Sequence, residues 1–134
     1  MSESDSIQKF LAGSSFAVVG ASTDRSKYGN KVLRCYQQRK LQVTPVHPKE
    51  TTIEGLACAP DLASVAPRPH GVSIITPPAV TEKVVQQAIA LGIRHLWMQP
   101  GAESQAAIDA ARAAGIDVIA GGPCILVVLG YREA

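Results

Sequence analysis

Apolar and polar positions along this chain fall into blocks, and the period changes from block to block. Residues 15–20, Ser-Phe-Ala-Val-Val-Gly, form an apolar run that stops at glycine, the pattern of a buried strand. Residues 29–40 carry Val32, Leu33 and Tyr36 at helical spacing, and Gln42 to Val46 is a second strand stopped by Pro48. Residues 50–67 are rich in turn formers, with a short helix expected near Asp61 to Val65. A third strand covers residues 71–76. Pro78 suits the first position of a helix, Val80, Val84, Ala88 and Leu91 share one helical face, and Gly92 supplies the stop. Arg94 to Met98 reads as a fourth strand, Glu103 to Ala114 as an Ala-rich helix ended by Gly115, and Asp117 to Ala120 as a fifth strand. Residues 1–12 suit a capping helix or a loose arm. The tail after Gly122, with its Ile-Leu-Val-Val-Leu-Gly run, suits a last helix or an apolar seal.

Strands that alternate with helices over connections of this length predict a parallel sheet with right-handed crossovers. The expected architecture is α/β: a single Rossmann-like three-layer domain over residues 1–134 with a five-stranded parallel sheet. The length agrees, because 134 residues can bury one core and leave no room for a second. Ligands of such sheets bind beyond the carboxyl ends of the strands, where the strand order switches. Five loops therefore matter: 20–29, 47–50, 76–78, 99–102 and 121–124.

Composition narrows the choice of partner. Apolar residues make up 46% and charged residues 18%, so the chain is globular rather than disordered. Aromatics are only 4%, which predicts an aliphatic core and argues against nucleic-acid binding by base stacking. Cys35, Cys58 and Cys124 are far apart and form no CxxC pair, so neither a disulfide framework nor a metal site is expected. No apolar run approaches the roughly 18 residues of a membrane span, and the polar, acidic start shows no secretory signal. The expected compartment is the cytoplasm, with no membrane partner.

Net charge is only +2, yet it is uneven. Residues 24–49 hold seven basic side chains (Arg25, Lys27, Lys31, Arg34, Arg39, Lys40 and Lys49) against one acid, Asp24, a local +6. Such a cluster suits a polyanionic partner. The plainer alternative is a solvated helix face, to which Arg34, Arg39 and Lys40 would belong.

The loops supply candidate chemistry. In the first, Gly20 turns the chain out of the strand, Gly29 stands near the start of the next helix, and Ser22, Thr23 and Ser26 add hydroxyls, the physical form of a phosphate cradle. The loop is neither GxGxxG nor GxxxxGK[ST]. In the second, His47 stands where an NAD-binding unit would place an acid for the ribose hydroxyls, which counts against NAD; Lys49 is placed for a phosphate on an adenosine ribose. Thr76, Pro77 and Pro78 form a rigid wall poor in amide donors. Gln99, Pro100 and Gly101 make a turn that lets a ligand or the backbone approach closely. Cys124 is a possible nucleophile, but no base stands beside it in the sequence, and His70 and His95 fall at strand starts on the opposite edge. Glu82, Glu103 and Asp109 map to helix surfaces, so no catalytic constellation is visible.

Taken together, FAVVGAS (16–22), KYGNKV (27–32), VHPK (46–49), ITPP (75–78), LWMQPGAES (96–104) and the late Cys124 resemble the small stand-alone CoA-binding proteins, themselves similar to the CoA-binding domain of the succinyl-CoA ligase alpha subunit. The resemblance covers about residues 7–130. It implies that Gly20, Ala21 and Ser22 hold the CoA pyrophosphate and that Lys27 and Tyr28 close over the phosphates. It places Pro48 and Lys49 near the adenosine, with Lys49 toward the 3′-phosphate. Thr76, Pro77 and Pro78 would line the pantetheine path, and the thiol end would emerge at Gln99 and Gly101. Two departures stand out: His47 replaces the usual Asn, and Gly122-Pro123 replaces the Asp-Arg that often precedes the late cysteine. The resemblance implies a binder of coenzyme A or an acyl-CoA without catalysis of its own. Two other readings remain open: a scaffold acting through protein contacts, with the apolar tail as a homodimer or partner patch, and a small acyl-CoA-handling enzyme using Cys124.

Overall fold

A computed structural model describes residues 3–122 and 124–133. The chain runs through α1 (Glu3–Leu11), β1 (Ser15–Val19), α2 (Tyr28–Gln38), β2 (Gln42–Val46), β3 (Thr52–Ile53), β4 (Leu56–Ala57), a 3-10 turn (Leu62–Ser64), β5 (Gly71–Ile74), α3 (Pro78–Leu91), β6 (His95–Met98), α4 (Gln105–Ala113), β7 (Asp117–Ile119) and α5 (Ile125–Val128). Five strands form one sheet in the order β2-β1-β5-β6-β7, and each neighbouring pair is parallel. This is the Rossmann-like α/β architecture expected. The chain first steps from β1 to β2 and then returns to the other side of β1, so the switch in strand order falls between β1 and β5.

Alternation along each strand sorts the core into two layers. Phe16 and Val18 of β1 and Trp97 of β6 face one side, with Phe10 of α1, Val32, Leu33 and Tyr36 of α2 and Ile125 of α5. Ala17, Val19, Leu96 and Met98 face the other, against Val84, Val85 and Ala88 of α3 and Ala107 and Ala111 of α4. The N-terminal segment is a docked helix rather than an arm. A nine-residue helix is too short to persist alone. Phe10 holds it by stacking on Phe16 (5.4 Å) and meeting Trp97 edge-on (5.3 Å), a burial worth about 1.5–3 kcal/mol.

Helix limits follow local chemistry. Pro78 opens α3 at a position with no amide to lose, and Gly92 closes it in the left-handed region at φ 73°. Ser104 caps α4 by accepting from the Ala107 amide at 3.3 Å, so that helix begins two residues later than the pattern suggests. Helix α2 ends at Gln38 because Lys40 turns left-handed at φ 57°. Within the turn-rich segment a small hairpin appears, β3 with β4, whose turn residues Glu54 (φ 51°) and Gly55 (φ 78°) are both left-handed, as a tight two-residue turn demands. The C-terminal run combines both expectations: one helical turn whose Ile125 is fully buried while Val127 is exposed. Among the described residues no helix is long and apolar enough to cross a membrane.

Candidate functional site

The loop after β1 is shaped by backbone contacts. Gly20 sits at φ 98°, and a Cβ there would stand 2.0 Å from the carbonyl oxygen of Ile75. A Cβ on Gly29 would stand 2.0 Å from the carbonyl oxygen of Gly20. Both glycines are thus required by the fold itself, because they let β1, the end of β5 and the start of α2 touch. Gly20 turns the chain out of β1 as expected, and the neighbouring strand is its nearest constraint. The effect is to bring the first turn of α2 close to the strand ends, and Lys27 at its N-cap supplies no capping side chain. The first-turn amides of a helix have no intrahelical partner and carry the positive end of its dipole.

A buried polar network fixes the rest of this loop. Asn30 donates through Nδ2 to the Ser22 carbonyl (2.8 Å) and to Glu54 Oε2 (3.0 Å). Arg34 donates through Nε to Asn30 Oδ1 (2.7 Å) and through Nη2 to the Arg25 carbonyl (2.9 Å). Arg25 in turn pairs with Glu54 at 3.4 Å. With the Ser22 carbonyl turned toward α2, the Thr23 amide of the same trans peptide points away from it. Arg34, a member of the basic cluster that a solvated helix face would account for, is buried. The hydroxyls serve the loop as well: the Asp24 amide donates to Ser22 Oγ (3.1 Å), and Ser26 Oγ donates to Asp24 Oδ1 (2.6 Å). That bond holds the exposed Asp24 carboxyl below its ordinary range.

His47 shapes the turn that follows β2. Its Nδ1 accepts from the amides of Lys49 and Glu50, both at 3.0 Å, so the ring caps the turn after β2. The backbone amide of His47 donates to the Ala59 carbonyl at 2.9 Å, which fixes that turn against the following segment. An Asn side chain bonds a nearby backbone amide in the same manner, so His47 keeps the turn while presenting a larger ring.

A cleft of about 340 Å³ opens at the switch point. Gly20, Ala21, His47, Pro48 and Thr76 line it, together with Asp61, Leu62, Val80 and Gln87. Five of the expected site residues therefore share one cavity. Thr76 is oriented by a 2.7 Å hydroxyl contact with Thr81 of α3, while Pro77 and Pro78 form the N-cap and first residue of that helix. Lys27 and Lys49 are exposed and stand outside the cleft wall.

Gln99, Tyr28 and Cys124 form a second group. Tyr28 Oη donates to Gln99 Oε1 (3.2 Å) and touches Cys124 Sγ, and the Ile125 amide donates to the same Gln99 oxygen at 3.0 Å. Partial burial and the Cys124 contact push the Tyr28 phenol well above its ordinary range, so it stays protonated. Gln99 Nε2 is buried with no hydrogen-bond partner among the described residues. Gly101 needs its φ of 96°, but nothing lies within 4 Å of a Cβ there, and its amide donates to Glu103 Oε1 at 2.8 Å. It makes a turn, and no part of the protein backbone packs against it. Pro123 lies outside the described residues. Asn30, Arg34 and Glu54 were not singled out for the site; the four-residue spacing of Asn30 and Arg34 on one helix was the available signal.

The fold thus places a cleft at the strand-order switch, and comparisons with known proteins show the family to which the chain belongs. The CoA binding domain family matches over residues 14–130, and the chain belongs to that family. It is similar to a conserved hypothetical protein from Pyrococcus furiosus, at 34% identity over 87% of this chain and 99% of that one, with a TM-score of 0.81. A hypothetical protein from Pyrococcus horikoshii OT3 is 25% identical over 95% of this chain and 89% of that one, with a TM-score of 0.87. The dinucleotide forming acetyl-coenzyme A synthetase 1 of Ca. Korarchaeum cryptofilum is 27% identical over 78% of this chain, with a TM-score of 0.69; the match spans 25% of that larger chain.

Proposed function

We propose that this protein binds coenzyme A or an acyl-CoA through the pyrophosphate and the 3′-phosphate, and holds it without catalysing a reaction on it. The observation that carries this reading is the cleft in which Gly20, Ala21, His47, Pro48 and Thr76 meet at the strand-order switch. Membership of the CoA binding domain family supports it.

The division of labour follows from position. The loop from Gly20 to Ser22 and the uncapped start of α2 offer amides to the pyrophosphate. Lys27 supplies an exposed charge at the same helix end, and Lys49, one residue beyond the cleft-lining Pro48, reaches a 3′-phosphate from the rim. The Thr76-Pro77-Pro78 wall accepts the weakly polar pantetheine arm, whose far end runs toward Gln99. His47 puts no carboxylate at the end of β2, and Asp61, the carboxylate that does line the cleft, commits its Oδ1 to the Ser64 amide and hydroxyl, which sets the site against NAD.

Thermal unfolding with and without ligand tests the reading. A ligand at 100 times its dissociation constant adds about 2.7 kcal/mol to stability. CoA is expected to raise the melting temperature and NAD to leave it unchanged; the reverse pattern removes the proposal.

A further inference from the structure

The sheet lays its carboxyl-end loops out in a row. From the β1 loop to the β7 loop the order is β1, β5, β6, β7, three strand spacings of about 4.8 Å each. An extended pantetheine arm anchored by its pyrophosphate at Gly20 to Ser22 covers that span, passing Thr76 and then Gln99. The group that waits at the end of the row is Cys124, half-buried and free of any disulfide.

The hydrogen bonds around Cys124 assign its proton. Tyr28 has one hydroxyl hydrogen and gives it to Gln99 Oε1, so in its contact with Cys124 the phenol oxygen accepts from the thiol. When the thiol loses its proton, the same phenol can rotate and donate to the sulfur. Tyr28 thus positions Cys124 in both protonation states. A second observation at this spot stands apart from the cysteine. Gln99 is completely buried, and its oxygen is taken by Tyr28 and by the Ile125 amide. Its Nε2, on the same carboxamide, has no partner among the described residues. A buried amide left without an acceptor is costly, and a ligand carbonyl relieves it. The arm of CoA carries an amide carbonyl near its sulfur, which is an acceptor of the kind Gln99 lacks.

We infer that Cys124 is a thiol–disulfide exchange site for the sulfur end of the coenzyme, with Tyr28 as its positioning residue and Gln99 as the donor to the pantetheine amide. This rests on the CoA reading above. The co-reactant is a CoA disulfide. The Cys124 thiolate attacks one sulfur, a Cys124–S–S–CoA bond forms, the original S–S bond breaks, and the second CoA leaves as a thiolate that takes up the proton Cys124 released. No further oxidant is consumed, and a small thiol reverses the step. The protein would then hold CoA covalently under oxidising conditions and release it on reduction.

The test uses the whole protein and intact-mass measurement after mixing with CoA disulfide, with glutathione disulfide in parallel and calorimetric titration of CoA on the same sample. The expected result is one CoA adduct, reversed by dithiothreitol, forming at least tenfold faster than the glutathione adduct. It is lost in Cys124→Ser and kept in Cys58→Ser. Tyr28→Phe shifts the pH profile of adduct formation upward, because the thiolate loses its donor. Equal rates with both disulfides, or an adduct mainly on Cys58, overturn the inference. CoA binding without any adduct also overturns it while leaving the binding reading intact. Absence of both removes the inference and the reading together, and the titration tells these cases apart.

Discussion

The α-carbon of Gly29 and the carbonyl oxygen of Gly20 face each other so closely that a Cβ on Gly29 would stand 2.0 Å from that oxygen. This contact joins the first turn of α2 to the end of β1, where the amides of the proposed phosphate site converge. Gly29→Ala is therefore expected to push the helix away from the strand. Overpacking of this kind costs about 1–3 kcal/mol, and the neighbour here is backbone, which cannot rotate aside. Urea unfolding should show the loss of stability, and calorimetry on the folded fraction should show CoA affinity falling with it. Gly20→Val, whose Cβ meets the Ile75 carbonyl, should behave alike, with circular dichroism checking that the variant folds. A folded variant of either kind with undiminished CoA affinity would separate this contact from the site.

Lys49 supplies a sharper test because NAD and dephospho-CoA both lack the 3′-phosphate. Lys49→Ala should weaken CoA about tenfold, the low end for a charge-assisted hydrogen bond at an exposed rim, and leave dephospho-CoA nearly unchanged. The difference should shrink as salt rises. Titrating both ligands into both proteins completes a double-mutant cycle. A coupling energy near zero takes Lys49 out of the site.

The Asn30–Arg34–Glu54 network predicts a local effect. Arg34→Met leaves Asn30 Oδ1 and the Arg25 carbonyl without their donor, at a cost of about 1–3 kcal/mol. Hydrogen exchange should speed up for amides of residues 22–26, while those of β6 change only through global stability. Uniform acceleration across the protein would mean that Arg34 supports the fold but not the loop in particular.

A pH effect arises at the other edge of the sheet. His95 stacks on His70 with ring centroids 4.5 Å apart. Desolvation, and then the neighbouring His70, lower the His95 pKa below its ordinary 6.5. The unfolded chain therefore binds the proton more readily than the folded one, so stability rises with pH until about 6.5 and is flat above. Acidifying from pH 7 to about 5.5 should lower the melting temperature, and His95→Gln should flatten that slope. A slope unchanged in the variant would assign the effect to other groups.

Much of the fold was legible from local signals. The apolar run to Gly20, the Pro78 start and Gly92 stop of α3, and the second strand from Gln42 to Val46 are each written in a few adjacent residues. The β3–β4 hairpin was not, because two-residue strands are too short to show alternation and Glu54 is an unusual residue for a left-handed position. At the site, Gly20, Ala21, His47, Pro48 and Thr76 were readable because each stands just past the end of a strand, whereas Asp61, Leu62, Val80 and Gln87 come from the 3-10 turn and α3 and carried no such signal. The grouping of Tyr28 with Gln99 and Cys124 was not, since those contacts cross 71 and 96 positions of sequence and depend on strand order. His47 was found by its place at the end of β2, but its role in capping the turn shows only when its ring is seen against two amides.

The central claim, a CoA site that reads the pyrophosphate and the 3′-phosphate, is tested most directly by calorimetric titration of one protein sample with CoA, dephospho-CoA, ATP and NAD. The expected outcome is saturable binding of CoA at one site per chain, weaker binding of dephospho-CoA, and no measurable heat from NAD. Saturable NAD binding with none from CoA would contradict the account.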